Sequence, residues 1–384
     1  MFGLDRREFC FNTVVASAAL LSNKLYANPS ATDRHIILVE LTGANDGLNT
    51  VIPFKNDRYY SLRPEISIPR DDVLALDDEQ GLHPSLQGVR SLYESGDLRI
   101  FQNVGYPEQI QSHFRSIEIW ERGGDGRGNG REGWLVKQLS DLGPDSFDAP
   151  GIYLGGTGNI FAGGENYLGP HSIGKILSST DQDNPERQVV SAPKNSLLSS
   201  IQQSQTSHNR RVLSISSKLR ADNSSFSIRG RQLGRQLRTV CSLISAGIHI
   251  PVFKVTLGSF DTHVNQRNQH RDLLRELDEA LSDTVAALKR VGVWDKVAII
   301  TYSEFGRRAA ENGSRGTDHG TAAPHLYLSG DVEGGIHGGM ADLEKLHKGD
   351  LIFKTDYRSV FEFALRHHLK IDQNIFSDFR TITS

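Results

Sequence analysis

Cysteine is nearly missing from the chain. There are two among 384 residues, Cys10 and Cys241, too few for a disulfide scaffold. An excess of one charge is also missing: 43 Lys and Arg against 46 Asp and Glu leave a net charge of −3. That balance gives no global electrostatic reason to bind nucleic acid or an anionic membrane. Methionine is scarce at two residues, while glycine is plentiful at 37 and the hydrophobic fraction is 37%. This profile suits a loop-rich globular enzyme or binding protein better than a helical bundle, and it excludes disorder as the general state. The length allows two or three domains, or one large α/β domain with insertions.

The first segment reads as a targeting signal. Asp5-Arg6-Arg7-Glu8-Phe9 precedes a modest apolar run from Phe11 to Leu21, and Leu25-Tyr26-Ala27 offers a small-residue cleavage site. The run is too short for stable membrane insertion. An arginine pair with Phe two residues on resembles the twin-arginine (Tat) export signal of bacteria. The expectation is therefore a Tat signal over residues 1–27, handled by the Tat export machinery. A mature chain from residue 28 would then be periplasmic or secreted. Cys10 would leave with the signal, so no intramolecular disulfide is expected even in an oxidising compartment.

The rest alternates between strand and helix patterns. His35–Leu41 is a continuous apolar run rich in β-branched residues and reads as a buried central strand; His249–Leu257 and Lys296–Tyr302 read as further strands, and Leu98–Val104 is a strand candidate. Leu326–Leu328 reads as a further, short strand. Helices are expected over Pro84–Glu94, Ser112–Trp120 with Ser112 as cap, Arg229–Ala246 and Asp356–Leu369. Leu273, Leu274, Leu277, Leu281, Val285 and Leu288 recur at helical spacing and mark a long amphipathic helix. Gly123–Gly130 reads as a flexible loop, and residues 155–228 as an irregular insertion on one domain spanning 28–384. The alternation implies an α/β fold: a three-layer α/β/α sandwich with a mostly parallel central sheet.

In open α/β sheets, ligands bind beyond the carboxyl ends of the strands. Asp46 follows the first strand, Asp261 and His263 follow Leu257, and Glu304 and Arg307 follow Tyr302. Asp318 and His319 precede the strand near Leu326. Taken singly, each has a plainer role: an Asx turn, a helix cap or an ion pair. Together at one edge they suggest a shared site, because converging carboxylates repel unless a proton or cation is shared. Asp with His is ligand chemistry for Zn²⁺, Mn²⁺ or Fe.

Gly43-Ala44-Asn45-Asp46-Gly47-Leu48-Asn49-Thr50, Phe260-Asp261-Thr262-His263, Ser303-Glu304-Phe305-Gly306-Arg307, Gly316-Thr317-Asp318-His319-Gly320 and Thr355-Asp356-Tyr357-Arg358 resemble, as a set, the domain-of-unknown-function 1501 family of Tat-exported bacterial proteins. That family is similar in fold to the alkaline phosphatase and sulfatase superfamily of metal-dependent hydrolases. The resemblance implies a divalent metal, Zn or Mn, held by Asp46, Asp261, His263, Asp318 and His319. Glu304 would be a ligand or a partner orienting His263 or His319, and His325 and His337 are candidates for a downstream ligand. In the superfamily an Asp-His pair directly follows the strand equivalent to Lys296–Tyr302. Here Ser303-Glu304-Phe305 stands there instead. Ser112, in Gln111-Ser112-His113-Phe114, occupies roughly the nucleophile's place without a sulfatase-type signature. Arg307 or His113 would stabilise an oxyanion.

Two functions follow. One is an exported metal-dependent hydrolase of phosphate or sulfate esters, with a small-molecule or polymer ester as substrate and two cations about 4 Å apart. The other is a non-catalytic exported binding or assembly protein that keeps the alkaline phosphatase-like fold.

Overall fold

The computed structural model describes residues 33–124, 132–140, 146–179 and 196–371. The expected signal over 1–27 lies outside the described residues, as does most of the Gly123–Gly130 stretch.

Strand β1 (His35–Leu41) is buried at every position. Ile37, Val39 and Leu41 enter one hydrophobic core, and Ile36 and Leu38 enter another. A run apolar on both faces can satisfy itself only as an inner strand covered on both sides. After β1 come three short strands, β2 (Val51–Ile52), β3 (Leu74–Ala75) and β4 (Gly81–Leu82), which form a small antiparallel sheet in the order β2-β4-β3. The main sheet contains β1 with β5 (Leu98–Gly105), β6 (Gly151–Tyr153), β7 (Val252–Leu257), β8 (Val297–Tyr302), β9 (Ala323–Ser329), β10 (Gly335–His337) and β11 (Thr355–Asp356). Its order is β10-β5-β9-β8-β1-β7-β6, and β11 also pairs with β5.

Helix α1 (Asp57–Leu62) lies between β2 and β3 in the chain. Helices α2 (Gln87–Glu94), α3 (His113–Arg122), α4 (Trp134–Ser140), α5 (Pro170–Ser178), α6 (Ser196–Ala221), α7 (Arg231–Ser245), α8 (Gln266–Arg290) and α9 (Tyr357–His367) follow. Leu92 of α2, Ile176 of α5, Ile215 of α6, Leu237 of α7 and Leu277 of α8 join the core of Val39. Trp120 of α3, Leu135 of α4 and Phe361 of α9 join the core of Leu38. The architecture is the expected α/β/α sandwich.

Strand direction decides what meets at the edge. β1 runs parallel to β7 and β8, β6 parallel to β7, and β10 and β11 parallel to β5. Only β9 is reversed in this sheet, antiparallel to both β5 and β8. The carboxyl ends of β1, β5, β7 and β8 therefore share one edge with the amino end of β9. A loop that enters β9 reaches the same place as loops that leave the other four.

Three local expectations change. The short strand at Leu326–Leu328 extends over seven residues, Ala323–Ser329. The region 155–228 carries α5 and the 26-residue α6. The sequence of helix α6 is rich in Ser and Gln, which masks its helical pattern; among its described side chains Val212 and Ile215 are buried. Ser112 does hold the N-cap position of α3, but its side chain makes no cap hydrogen bond.

Candidate metal centre

The loops at this edge are tightly wound. Gly43 has φ +105°, and a Cβ there would lie 2.5 Å from the backbone nitrogen of Asp261. Glycine is required on both counts. Ala44, Ser259, Asn265 and Arg315 also have positive φ, at 63°, 78°, 47° and 58°. Left-handed backbone at non-glycine residues is uncommon, and such strain concentrates at functional sites.

Four side chains converge there. His113 heads α3 after β5, Asp261 and His263 follow β7, and His319 precedes β9. The Nε2 atoms of His113 and His319 are 3.0 Å apart, and those of His263 and His319 are 3.1 Å apart. Asp261 Oδ1 lies 2.9 Å from His263 Nε2, 3.3 Å from His319 Nε2 and 3.4 Å from His113 Nε2. His113, Asp261 and His319 form a group whose ligand atoms could hold a metal ion; His263 Nε2 adjoins Asp261 and His319, with Arg307 Nη1 3.4 Å away from it.

Two of the tautomers follow from the partners. His113 Nδ1 lies 2.6 Å from Glu304 Oε1, and His319 Nδ1 lies 3.0 Å from the Gln111 carbonyl oxygen. A carboxylate and a carbonyl accept only, so each Nδ1 carries its hydrogen and donates it. Without a proton on Nε2, the rings present bare lone pairs to each other and to a carboxylate oxygen. Such a set is stable only around a proton or a cation. Zn–N and Zn–O bonds of ~2.0–2.1 Å in a tetrahedron put ligand atoms ~3.3–3.4 Å apart. The separations of 2.9–3.4 Å bracket the lower side of that value. The donor atoms of His113, Asp261 and His319 fit one divalent ion, with His263 beside them. The side chains of Asp261 and His263 are 46% and 39% exposed, so the site opens to solvent.

Arg307 organises the loops from within. Its side chain is fully buried. Nε donates to Ala44 O, Nη1 to Thr317 O, and Nη2 to Gly43 O, Phe260 O and Asp261 Oδ1. Burial alone would raise the Asp261 carboxyl, but Arg307, with smaller help from His263 and His113, outweighs it and holds the group at about 2. Asp261 is thereby kept ionised. The donors of Arg307 are spent on the protein itself, which leaves none for an oxyanion, contrary to the expectation for this residue. His113 is likewise reassigned: its Nε2 stands in the ligand set.

The remaining expected ligands fall elsewhere. Asp46 is fully buried; Arg63 Nη1 lies 2.6 Å from its Oδ2, and Gln266 Nε2 donates to the same oxygen. Burial opposes ionisation, yet Arg63 pulls the Asp46 carboxyl down. Asp318 Oδ1 is 3.7 Å from His263 Nδ1, on the far side of the ring from the cluster, and accepts from Asn312 Nδ2 at 3.1 Å. Glu304 is the orienting carboxylate, but it orients His113 rather than His263 or His319, and it also accepts from Gly43 N–H at 2.8 Å. His325 is buried on β9 against Trp120, and burial alone lowers its imidazole to about 3. His337 is exposed on β10 beside Phe101. Among the described residues one ligand set converges, not two. Ser112 is exposed beside His113, and Phe305 packs against the touching rings of His113 and His319 at 4.9 Å from each.

The family model described as "Protein of unknown function (DUF1501)" matches residues 33–351. No curated protein matches the sequence. Three solved structures illustrate the similarity in fold. The C-terminal periplasmic domain of EcEptC from Escherichia coli, in complex with Zn, is 8% identical at a TM-score of 0.36, over 77% of this chain and 72% of that one. A protein in the alkaline phosphatase superfamily from Vibrio parahaemolyticus is 11% identical at 0.34, over 81% and 63%. The PsFucS1 sulfatase from Pseudoalteromonas sp. is 12% identical at 0.38, over 90% and 69%. Likeness of this order assigns no residue a role.

Proposed function

The chain belongs to the DUF1501 family, and from that premise we propose that it is an exported, metal-dependent hydrolase of phosphate or sulfate esters. One observation carries the reading: three imidazole nitrogens and an ionised carboxylate oxygen meet, solvent-accessible, where five strand ends share an edge. His113, His263, His319 and Asp261 would hold the ion. An imidazole-rich set favours Zn²⁺ over Mn²⁺. The ion would supply Lewis-acid polarisation of an ester oxygen and a lowered pKa for an attacking hydroxyl or water.

The chain's own residues prepare that chemistry. Glu304 and the Gln111 carbonyl fix the ring orientation of His113 and His319, the outer-shell arrangement that raises ligand basicity. Arg307 fixes Asp261 and the Gly43–Ala44 turn against one another. The nucleophile is assigned to Ser112. Its hydroxyl is exposed, free of any cap bond, and one residue from a ligand at the amino end of a helix, where negative charge is favoured. Export rests on the Arg6-Arg7 segment; in addition, no helix among the described residues is long and apolar enough to cross a membrane.

The test is turnover of p-nitrophenyl phosphate and p-nitrophenyl sulfate by zinc-loaded protein. Turnover of either that disappears in Asp261→Asn and in Ser112→Ala supports the hydrolase. A stoichiometric metal without turnover of any ester would favour the binding-protein reading, and full activity in Ser112→Ala would move the attack to water.

A further inference from the structure

Beside the metal centre lies an open groove of about 460 Å³ between the amino end of α7 and the first half of α8. Its walls include Arg231, Gln232 and Arg235 of α7, Gly258 and Ser259 beyond β7, and Gln269 of α8. Ser259 is two residues from Asp261, so their Cα atoms are at most ~7 Å apart. The groove wall at Ser259 therefore belongs to the loop that carries Asp261.

Its charges are unevenly neutralised. Glu276 Oε1 accepts the backbone N–H groups of Gln232 and Leu233 at 3.1 and 3.3 Å, so that carboxylate is spent on the first turn of α7. Asp272 Oδ1 accepts from Arg271 Nε and Arg275 Nη2 at 3.1 and 2.9 Å. Arg231 and Arg235, one helical turn apart and both exposed, donate no hydrogen bond to any described residue and form no ion pair with one. Two guanidinium groups with free donors thus line the groove together with the carboxylates of Asp272, on which Arg231 also acts through charge, and Glu276. Guanidinium matches carboxylate, sulfate and phosphate oxygens in bidentate geometry.

We propose that this groove is a subsite for a second anionic group of the substrate. The ester handled at the metal centre would then belong to a polyanion that carries further sulfate or phosphate groups. The substrate assignment rests on the hydrolase reading, but anion binding in the groove does not, and the two are separable by experiment.

The experiment measures binding of a fluorescein-labelled dextran sulfate oligomer, and separately of inorganic tripolyphosphate, to metal-free full chain at about 0.15 M ionic strength, where weak surface attraction is largely screened. The variants are Arg231→Gln/Arg235→Gln and a charge-matched control, Arg58→Gln/Arg210→Gln. Loss of at least about tenfold in affinity is expected for the first pair, because hydrogen bonds to ionised partners are the strong kind. The control should bind as wild type does. Zinc content and thermal midpoint should be unchanged in both, which separates this result from failure of the metal site. The relative affinity of the two probes separates a sulfated from a phosphorylated polymer. Equal losses in the two double variants, or no binding of either probe to wild type, would overturn the proposal.

Discussion

Replacing Glu304 by glutamine isolates the outer layer of the metal centre. The side chain is almost wholly buried, and Oε1 takes two hydrogen bonds, 2.6 Å from His113 Nδ1 and 2.8 Å from Gly43 N. Glutamine has the same shape and keeps an accepting oxygen, so the loop need not collapse. What it loses is the negative charge. The Glu304 hydrogen bond is the leading cause that raises His113 above an ordinary imidazole, outweighing burial. A hydrogen bond to an ionised group is worth about 1.5–3 kcal/mol. Outer-shell replacements typically weaken metal binding ~10–100-fold, which is about 1.4–2.8 kcal/mol. The two magnitudes agree, so Glu304→Gln should bind Zn²⁺ one to two orders of magnitude more weakly in competition with a chelating dye. The thermal midpoint of the metal-free protein should fall far less than in Glu304→Ala, which leaves both donors unpaired. Wild-type zinc affinity in a folded Glu304→Gln would refute the assignment of this carboxylate to His113.

Other outcomes follow from the same geometry. Arg63→Met strands the buried Asp46 carboxylate and should cost about 3–5 kcal/mol of stability in a denaturant melt, while the protein that remains folded still binds zinc; loss of zinc at full stability would return Asp46 to the ligand set. His325→Leu should leave zinc stoichiometry intact and raise stability, since both ring nitrogens are buried without a partner and an unsatisfied buried group costs about 1–3 kcal/mol. Burial, the first cause in each case, holds His35 and His270 at about 4 and His83 and His325 at about 3. The unfolded chain has ordinary histidines near ~6.5 and binds protons more readily, so this stability is whole above ~6.5 and drains as pH falls toward 4 and below. Thermal midpoints measured from neutral pH down to pH 4 should fall, and a flat profile would contradict the buried neutral imidazoles.

Much of the fold was legible because β1 and β8 are nearly continuous apolar runs, a pattern that a strand buried on both faces asks for. Strand ends in turn announced the site. Asp261, His263 and His319 meet as their positions suggested, and β9, although reversed, still delivers His319 to the shared edge. What the sequence could not supply was side-chain direction. Asp46 follows β1 as expected, yet the left-handed turn at Gly43 and Ala44 leads it inward to Arg63, whose approach no local pattern reveals. His113 obeys the same strand-end rule after β5, but seven residues separate it from Gly105, and only the folded loop shows its Nε2 among the ligands. Glu304 is expected as a ligand or as a carboxylate partner of His263 or His319, and the folded loop gives it His113 instead. The groove between α7 and α8 had no signature at all, because unpaired arginines on an exposed helix face look like ordinary surface charge.

The central claim is that His113, His263, His319 and Asp261 bind one divalent ion. X-ray absorption at the zinc edge tests it most directly, on protein loaded with one equivalent of Zn²⁺. The account requires a shell with three imidazoles and one or two oxygens at about 2.0–2.1 Å, reduced to two imidazoles in His113→Ala. A shell of oxygens alone, or failure to retain one equivalent of zinc after dialysis, would contradict it.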